Sequence, residues 1–460
     1  MAELVPIQLG GESYQARSGG VSSQRCVNLY LEQNPSTQKG PVTLYGTPGL
    51  KRWGTFGSGP IRGMCALGPK CYIVSGSTLY AAGWNGDAVE VGSIAGSGPV
   101  RMVANATHVA IATQNELYAA NLDGVISLPE SGMSSVAYQD GYVIFTQAGT
   151  EKFWLSGLDD LTTIDALDFS SADAFADALV GCVSNHRELW LFGERSTEGW
   201  YNSGNATFPF ERAQGAFLEI GCKAAGSIAK AQRSVLWLGH DLYVYAAQGY
   251  QAQKISTHGI DRLISEVSDP TAAEAFVYDQ DGHTFYELSF PLLTIVYDLS
   301  TGLWHERKSE GMSRHRVGCY SAVFGKRLVG DIEDGRVYEL DLDTYDDDGD
   351  TITRSVSTPT LFAATRKVTL ARLSLDMDAG VGLTAGQGSD PRAMLDWSDD
   401  GGVTWGPRIE AAIGPLGARK YEVIWGRLGS FRQRTLRVSI SDPIRVAITG
   451  AYASLEGAIL

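Results

Sequence analysis

An aromatic residue returns near the end of a strand-like run every 36–54 residues through the middle of this chain: Tyr80, Tyr118, Trp154, Trp200, Tyr243, Tyr297 and Tyr338. Each belongs to a unit with an apolar strand, a short polar turn, a second strand ending near the aromatic, and a further turn. Residues 187–222 present the unit plainly. Leu189-Trp190-Leu191-Phe192 is one run and Trp200-Tyr201 a second. The turn Asn202-Ser203-Gly204-Asn205 follows, with Phe208-Pro209-Phe210 leading a third run that ends at Ile220. Asn and Gly tolerate the positive φ that tight turns need, and short β-prone runs between such clusters read as antiparallel strands. Repeats of about 40–50 residues with several strands each are the mark of a β-propeller. One small twisted sheet cannot bury both faces alone, whereas radial stacking covers each face with the next blade. Seven units fit, at 64–99, 100–133, 134–181, 182–223, 224–272, 273–314 and 315–357. The number falls to six if the first or last only completes another blade. Residues 172–180 read as a helical turn inserted in the third unit, and 255–267 as a short helix in the fifth.

The flanks differ. Residues 1–63 are broken by Gly10-Gly11, Ser18-Gly19-Gly20, Asn34-Pro35 and Thr47-Pro48-Gly49, leaving Cys26 to Glu32 as the one clear strand. This reads as an extended arm that cannot make its own core and must lie along another domain or subunit, with Leu29, Tyr30 and Leu50 as apolar anchors. A second outcome is that the arm supplies the strand closing the propeller. From 358 to 460 longer alternating strands appear, at 368–377, 419–425, 431–440 and 444–453, the pattern and size of an antiparallel β-sandwich. The expected fold is all-β: an arm (1–63), a propeller (64–357) and a sandwich (358–460).

Charge narrows the partners. Residues 64–358 carry 19 basic and 39 acidic side chains, so the propeller has no bulk affinity for nucleic acid or anionic membranes. Residues 1–63 carry 6 and 3, and 359–460 carry 12 and 10. The six cysteines, at 26, 65, 71, 182, 222 and 319, include no CxxC pair and no zinc-finger spacing with histidine. They read as buried small hydrophobes of a reduced protein. No signal-peptide pattern and no apolar run of membrane-spanning length occurs. No metal or cofactor is expected.

The chain contains no HExxH, GxSxG or Walker motif. Ser398-Asp399-Asp400-Gly401-Gly402-Val403-Thr404-Trp405 fits S-x-D-x-G-x-T-W, the Asp box of sialidases and other propeller hydrolases. Its role is structural. Ser398 and Asp400 bond the hairpin's own backbone, Gly402 permits positive φ, Thr404 adds a hydroxyl, and Trp405 packs beneath the turn. Six carboxylates in 341–350 resemble a calcium loop, but Thr344 stands where the first Asp belongs, so a solvated acidic turn is the reading. Arg432 and Arg434 fall on one face of a strand by alternation, with Arg427 and Arg437 nearby. This is either an ordinary solvated face or a docking surface for an acidic neighbour.

Several stretches together resemble the tail-hub family of short-tailed bacteriophages, the packaged-DNA stabilisation proteins. They are Arg187 to Gly193 with Trp200-Tyr201 and Phe208-Pro209-Phe210. Another set is His283-Thr284-Phe285-Tyr286 with Phe290-Pro291, Tyr297-Asp298 and Leu303-Trp304-His305-Glu306-Arg307. Asn28-Leu29-Tyr30 with Thr47-Pro48-Gly49-Leu50 resembles the family's N-terminal arm. Trp425-Gly426-Arg427-Leu428-Gly429 with Ser441-Asp442-Pro443 resembles its C-terminal domain. The resemblance implies a non-enzymatic virion tail protein, assembled in the host cytoplasm. It implies a homo-oligomeric ring, expected to be a hexamer, below the portal and adaptor. That ring would continue the DNA channel, retain double-stranded DNA without reading its sequence, and seat the tail needle and the tailspikes or fibres. The family has no catalytic residues to carry over. The alternatives are a propeller glycoside hydrolase of sialidase type, suggested by the Asp box, and a generic propeller scaffold or lectin.

Overall fold

The aromatics of the repeat stand on the third strand of successive four-stranded antiparallel sheets, with Tyr243 directly before its strand, Val244–Ala247. The computed structural model describes residues 4–17, 22–34, 41–165, 167–175, 177–232, 234–362 and 366–456. Six blades are built each from four consecutive strands, spanning 61–93, 101–131, 133–171, 179–218, 229–254 and 274–306. A seventh takes three strands from 317–341 and its outer strand, Gly49–Thr55, from near the N-terminus. The innermost strands, from Ile61–Leu67 round to Val317–Val323, adjoin one another in a closed ring.

The aromatic therefore marks the third strand of each blade, not the second as the repeat unit had it. The missed strand is the innermost, where seven strands converge and little room is left for side chains. A Cβ on Gly63, Gly181 or Gly318 would come within 2.7, 2.9 and 2.7 Å of Val100, Ile228 and Ile332 side chains. Between blades the sheets bury apolar faces, as where Val74 and Leu79 meet Val109, Ile111 and Tyr118. The helix expected in the fifth unit is His258–Ser265, with Ile260 and Ile264 buried four residues apart on one face. The helical turn expected at 172–180 is absent among the described residues. That stretch links Phe169–Ser171 to Leu179–Asn185.

The arm takes the first of the two courses left open by the sequence, lying along the other domains of its own chain, and is woven into them at four places. Leu4–Ile7 pairs with Ala447–Glu456, and Leu29–Gln33 with Val42–Gly46, which joins the same sandwich sheet. Cys26–Val27 pairs in parallel with Leu303–Glu306 of the sixth blade and antiparallel with Arg354–Ser357. Gly49–Thr55 closes the seventh blade, Leu50 opposite Leu340. Ser18-Gly19-Gly20 and Pro35, two of the expected breaks, lie outside the described residues.

The C-terminal part is a two-sheet sandwich. One sheet runs Val423–Gly426, Val368–Met377, Ala447–Glu456, Val42–Gly46 and Leu29–Gln33. The other continues from the sixth blade through Cys26–Val27 and Arg354–Ser357 to Gln433–Ile440, Arg392–Ser398 and Ile409–Ala412. Leu29, Leu31 and Leu44 share one core with Leu373, Leu395, Trp425 and Val438. Burying side chains of this size stabilises by about 1.5–3 kcal/mol each. The arm thus adds apolar mass that the sandwich strands lack alone.

Candidate functional site

Two regions bear on function: the seam where arm, propeller and sandwich meet, and the propeller axis. The seam is organised by Asn28, whose φ of 55° suits a residue able to enter the left-handed region. Its Nδ2 donates to the carbonyls of Lys308 and Thr353 at 2.9 and 3.0 Å, and its Oδ1 accepts from the Lys308 amide at 2.9 Å. One side chain so ties the arm to the end of the sixth blade and the start of the sandwich. Beside it the Arg25 Nε donates to the buried Glu306 carboxylate at 2.9 Å, and Ser13 Oγ donates to the same carboxylate at 3.1 Å. In the sequence Asn28 stands out only as part of the Asn-Leu-Tyr motif. Nothing local in the sequence names its partners, which lie about 300 residues away.

Behind the seam sits a buried ionic group. Glu287 accepts from His315 Nδ1 at 2.7 Å and lies 3.5 Å from Arg307 Nη1, while Arg307 Nη2 donates to the Pro48 carbonyl at 2.9 Å. Burial lowers the His315 pKa, the Arg307 charge acts in the same direction and Glu287 opposes both, while Nδ1–H donates to the carboxylate. The acidic run 341–350 joins this group. Ser309 donates to Asp347 at 2.9 Å, Arg316 to Asp350 at 2.9 Å, and Arg52 and Arg336 both pair with Asp348. The run is answered by three arginines: Arg52 of the strand closing the seventh blade, Arg336 of that blade, and Arg316 directly before its inner strand. Among the described residues, no cluster of three or more His, Cys, Asp or Glu is placed to hold a metal ion. Arg354 is buried, its Nη2 directed at the Tyr345 carbonyl at 3.3 Å, and burial lowers its pKa to about 10. It borders a cavity of about 220 Å³ shared with Tyr30, Tyr45, Tyr345 and Arg445.

The axis is bridged. Arg101, on the inner strand of the second blade, makes a two-pronged pair with Glu274, on the inner strand of the sixth, at 2.6 Å for each prong. The pair rests on Gly226, where a Cβ would come within 2.4 Å of Arg101 Nη2 and 2.5 Å of a Glu274 oxygen. A gap spanned by one Arg and one Glu cannot admit a DNA duplex, whose major groove alone is about 12 Å wide.

The residues singled out from sequence fall as follows. Leu29, Tyr30 and Leu50 are buried within their own chain, at 1, 4 and 0 % exposure, so they are not anchors for a neighbouring subunit. They serve the sandwich core and the seam, with Tyr30 edge-on to His283 and Phe285. Arg434 does not share an exposed face with Arg432. It is buried, forked onto Asp399 at 2.7 and 2.8 Å and stacked on Trp397 and Phe431. The regular strand starts at Gln433, and the alternation that would align the two arginines does not extend to Arg432. Arg427 and Arg432 are exposed. In the Asp-box loop, Asp400 accepts from the amides of Val403 and Thr404 at 3.0 and 2.9 Å, Ser398 Oγ donates to Asp400 at 2.7 Å, and Trp405 Nε1 donates to the Gly402 carbonyl at 3.2 Å. The Ser398, Asp400 and Trp405 side chains are thus engaged in holding the hairpin, while Asp399 pairs with Arg434. All six thiols are free, and burial pushes Cys222 up to about 11 and Cys65, Cys71, Cys182 and Cys319 up to about 12. Thiols held this far up are poor nucleophiles. No helix among the described residues is long and apolar enough to cross a membrane.

Comparison with known proteins bears on the same two domains. Three solved structures are similar at low identity. The computationally designed Ika8 protein is 10 % identical (TM-score 0.41), covering 63 % of this chain and 99 % of that one. The Neurospora crassa Pan2 WD40 domain is 10 % identical (TM-score 0.43), covering 64 % and 96 %. The extracellular domain of the two-component system BT4673 from B. thetaiotaomicron is 9 % identical (TM-score 0.44), covering 73 % of this chain and 45 % of that one. No curated protein matches. A family model described as bacteriophage P22 Gp10, beta-propeller, matches residues 4–345, and a second, bacteriophage P22 Gp10, beta-sandwich, matches 353–456. The first begins in the arm, in keeping with an arm strand that completes the propeller. With both domains matched over nearly its whole length, the chain belongs to the bacteriophage P22 Gp10 family, structural phage proteins that stabilise packaged DNA.

Proposed function

We propose that copies of this chain form a ring, a hexamer in the simplest case, below the portal and adaptor of a short-tailed phage. The ring continues the DNA channel and seats the needle and the spikes or fibres. The observation that supports this most is the family match over both domains, taken with an axis closed by Arg101 and Glu274. A subunit that belongs to a DNA-stabilising family and has no passage of its own must enclose DNA between subunits. An acidic propeller suits a wall along which DNA slides, since cationic walls would hold phosphates tightly.

The test is complementation. Particles assembled without this protein should lose packaged DNA, shown by nuclease sensitivity, and adding the purified full chain should restore retention. Particles that keep their DNA without it would overturn the proposal. The glycosidase alternative predicts turnover of a fluorogenic sialoside that a single carboxylate substitution abolishes. No turnover is expected, because the signature side chains of the one Asp box, Ser398 and Asp400, are engaged in their own hairpin.

A further inference from the structure

Exposed apolar side chains gather on one part of the propeller. Trp84, Leu122, Leu158 and Leu167 are 72, 57, 61 and 81 % exposed. All four stand in the loops joining the third and fourth strands of the first, second and third blades. Strands of a blade alternate in direction, so these three loops open on the same face of the ring. They are neighbours there: Leu161 of the third blade's loop shares a buried cluster with Leu117 of the second blade, and Gly92 of the first packs on Val125 of the second. From 179 to 341 the exposed large apolar residues are Tyr201, Tyr243 and Leu292 alone among the described residues.

The same loops carry Asp87, Asp123, Asp159, Asp160, Asp165 and Asp168. Residues 64–178 hold thirteen acidic and three basic side chains. Among the described residues their ion pairs are Arg101 with Glu274 and Asp140 with Arg187, so the loop carboxylates are unanswered within the chain.

The sandwich carries the reverse combination. Phe362 is 76 % exposed, and Arg366, Lys367, Arg427 and Arg432 are exposed. Strand register gathers them at one end. Phe362 lies opposite Gln433 and Val368 opposite Phe431, while the Arg427 amide donates to the Ala371 carbonyl at 3.0 Å. The sandwich is joined to the outer strand of the sixth blade. In a ring of seven, the position across from the sixth blade falls between the second and third. The acidic apolar patch and the basic apolar patch therefore lie on opposite sides of the molecule.

A subunit with unlike, complementary patches on opposite sides associates head to tail, and such contacts close into a ring when the rotation between successive copies closes. We infer that the loops of the first three blades of one copy dock on the sandwich end of the next copy. Trp84 and the leucines meet Phe362 as the apolar centre, and the loop carboxylates face the four cations. Apolar anchors concentrate the binding energy of an interface, and opposed charge sets its partner and orientation. This inference rests on the ring reading above and names the surfaces that make the ring.

Two full-length variants test it. One has Leu122→Arg with Leu167→Arg, breaking the blade patch. The other has Phe362→Glu with Arg432→Glu, breaking the sandwich patch. The unaltered chain should run as a closed oligomer by light scattering coupled to size exclusion. Each variant alone should be monomeric with an unchanged melting temperature, and an equimolar mixture should give a heterodimer and nothing larger. If either variant melts early, Asp87→Lys with Asp123→Lys, which leaves all apolar residues in place, should weaken assembly at low salt. If the unaltered chain assembles and the folded variants assemble equally well, the docking surfaces are wrong while the ring stands. If the unaltered chain remains monomeric in solution and on the adaptor ring, both readings fall.

Discussion

Single residues here gain their meaning from partners far away in sequence. Asn28 is the plainest case, with three bonds to Lys308 and Thr353 backbone atoms. Asn28→Ala should lower stability by about 2 kcal/mol, since it leaves buried backbone groups unpaired and puts alanine at positive φ. Asn28→Gly, which removes only the bonds, should cost less. Urea unfolding of the two variants separates the terms, and equal midpoints for both and the unaltered chain would refute the clamp. Asp400 acts locally instead. Bonds from Ser398 and Thr404 hold its carboxyl down at about 2. Its contribution is then present above the ordinary Asp value of about 3.9 and is lost as pH falls towards that lowered value. Asp400→Ala should speed amide exchange at Val403 and Thr404 and lower the melting of the sandwich, leaving the propeller alone. Unchanged exchange at both amides would mean that the side chain does not staple the loop.

At the scale of elements, the strand Gly49–Thr55 matters most, because it converts six complete blades and three loose strands into a closed ring. A chain lacking residues 1–55 should lose its cooperative melt, whereas one lacking residues 1–7 should keep the propeller and lose only the pairing with Ala447–Glu456. Gly49 itself has no space for a side chain: a Cβ would stand 2.4 Å from the Asp346 and Thr344 carbonyl oxygens. Gly49→Ala should therefore destabilise the whole propeller by about 1–3 kcal/mol, as overpacking does, read from thermal unfolding followed by tryptophan fluorescence. A truncation at 55 that still melts as one unit would show that the seventh blade closes without its outer strand.

For the molecule as a whole, the pair across the axis joins the second and sixth blades, which are not neighbours in the ring. Glu274→Gln leaves the Arg101 charge without its counter-ion and should cost about 2 kcal/mol in urea unfolding, in the range for hydrogen bonds to charged groups. An unchanged midpoint would mean that blade-to-blade packing alone holds the axis. In the ring proposed above, the closed axis would put the DNA path between subunits and not through the middle of one.

The order of the domains and the propeller itself were legible in the sequence. The aromatic of each third strand recurs from Tyr80 to Tyr338 because every blade must fill the same wedge against its neighbour. The alternation of Val368–Met377 marks a sandwich strand for a similar reason, since one face is buried and the other is not. These are local periodicities, and local order writes them into the chain. The fate of the arm was not legible. Its breakers show that it cannot fold alone, but whether Leu50 meets a subunit or Leu340 depends on a pairing some 290 residues distant. The same holds for charge. Arg432 and Arg434 look alike in sequence, yet Asp399, Trp397 and Phe431 claim one and leave the other in solvent. Hydrophobic period and turn chemistry act over a few residues and survive as pattern. The choice of partner for a strand, an arginine or a buried amide is made by the packed chain, which alone sets the distances over which those bonds form.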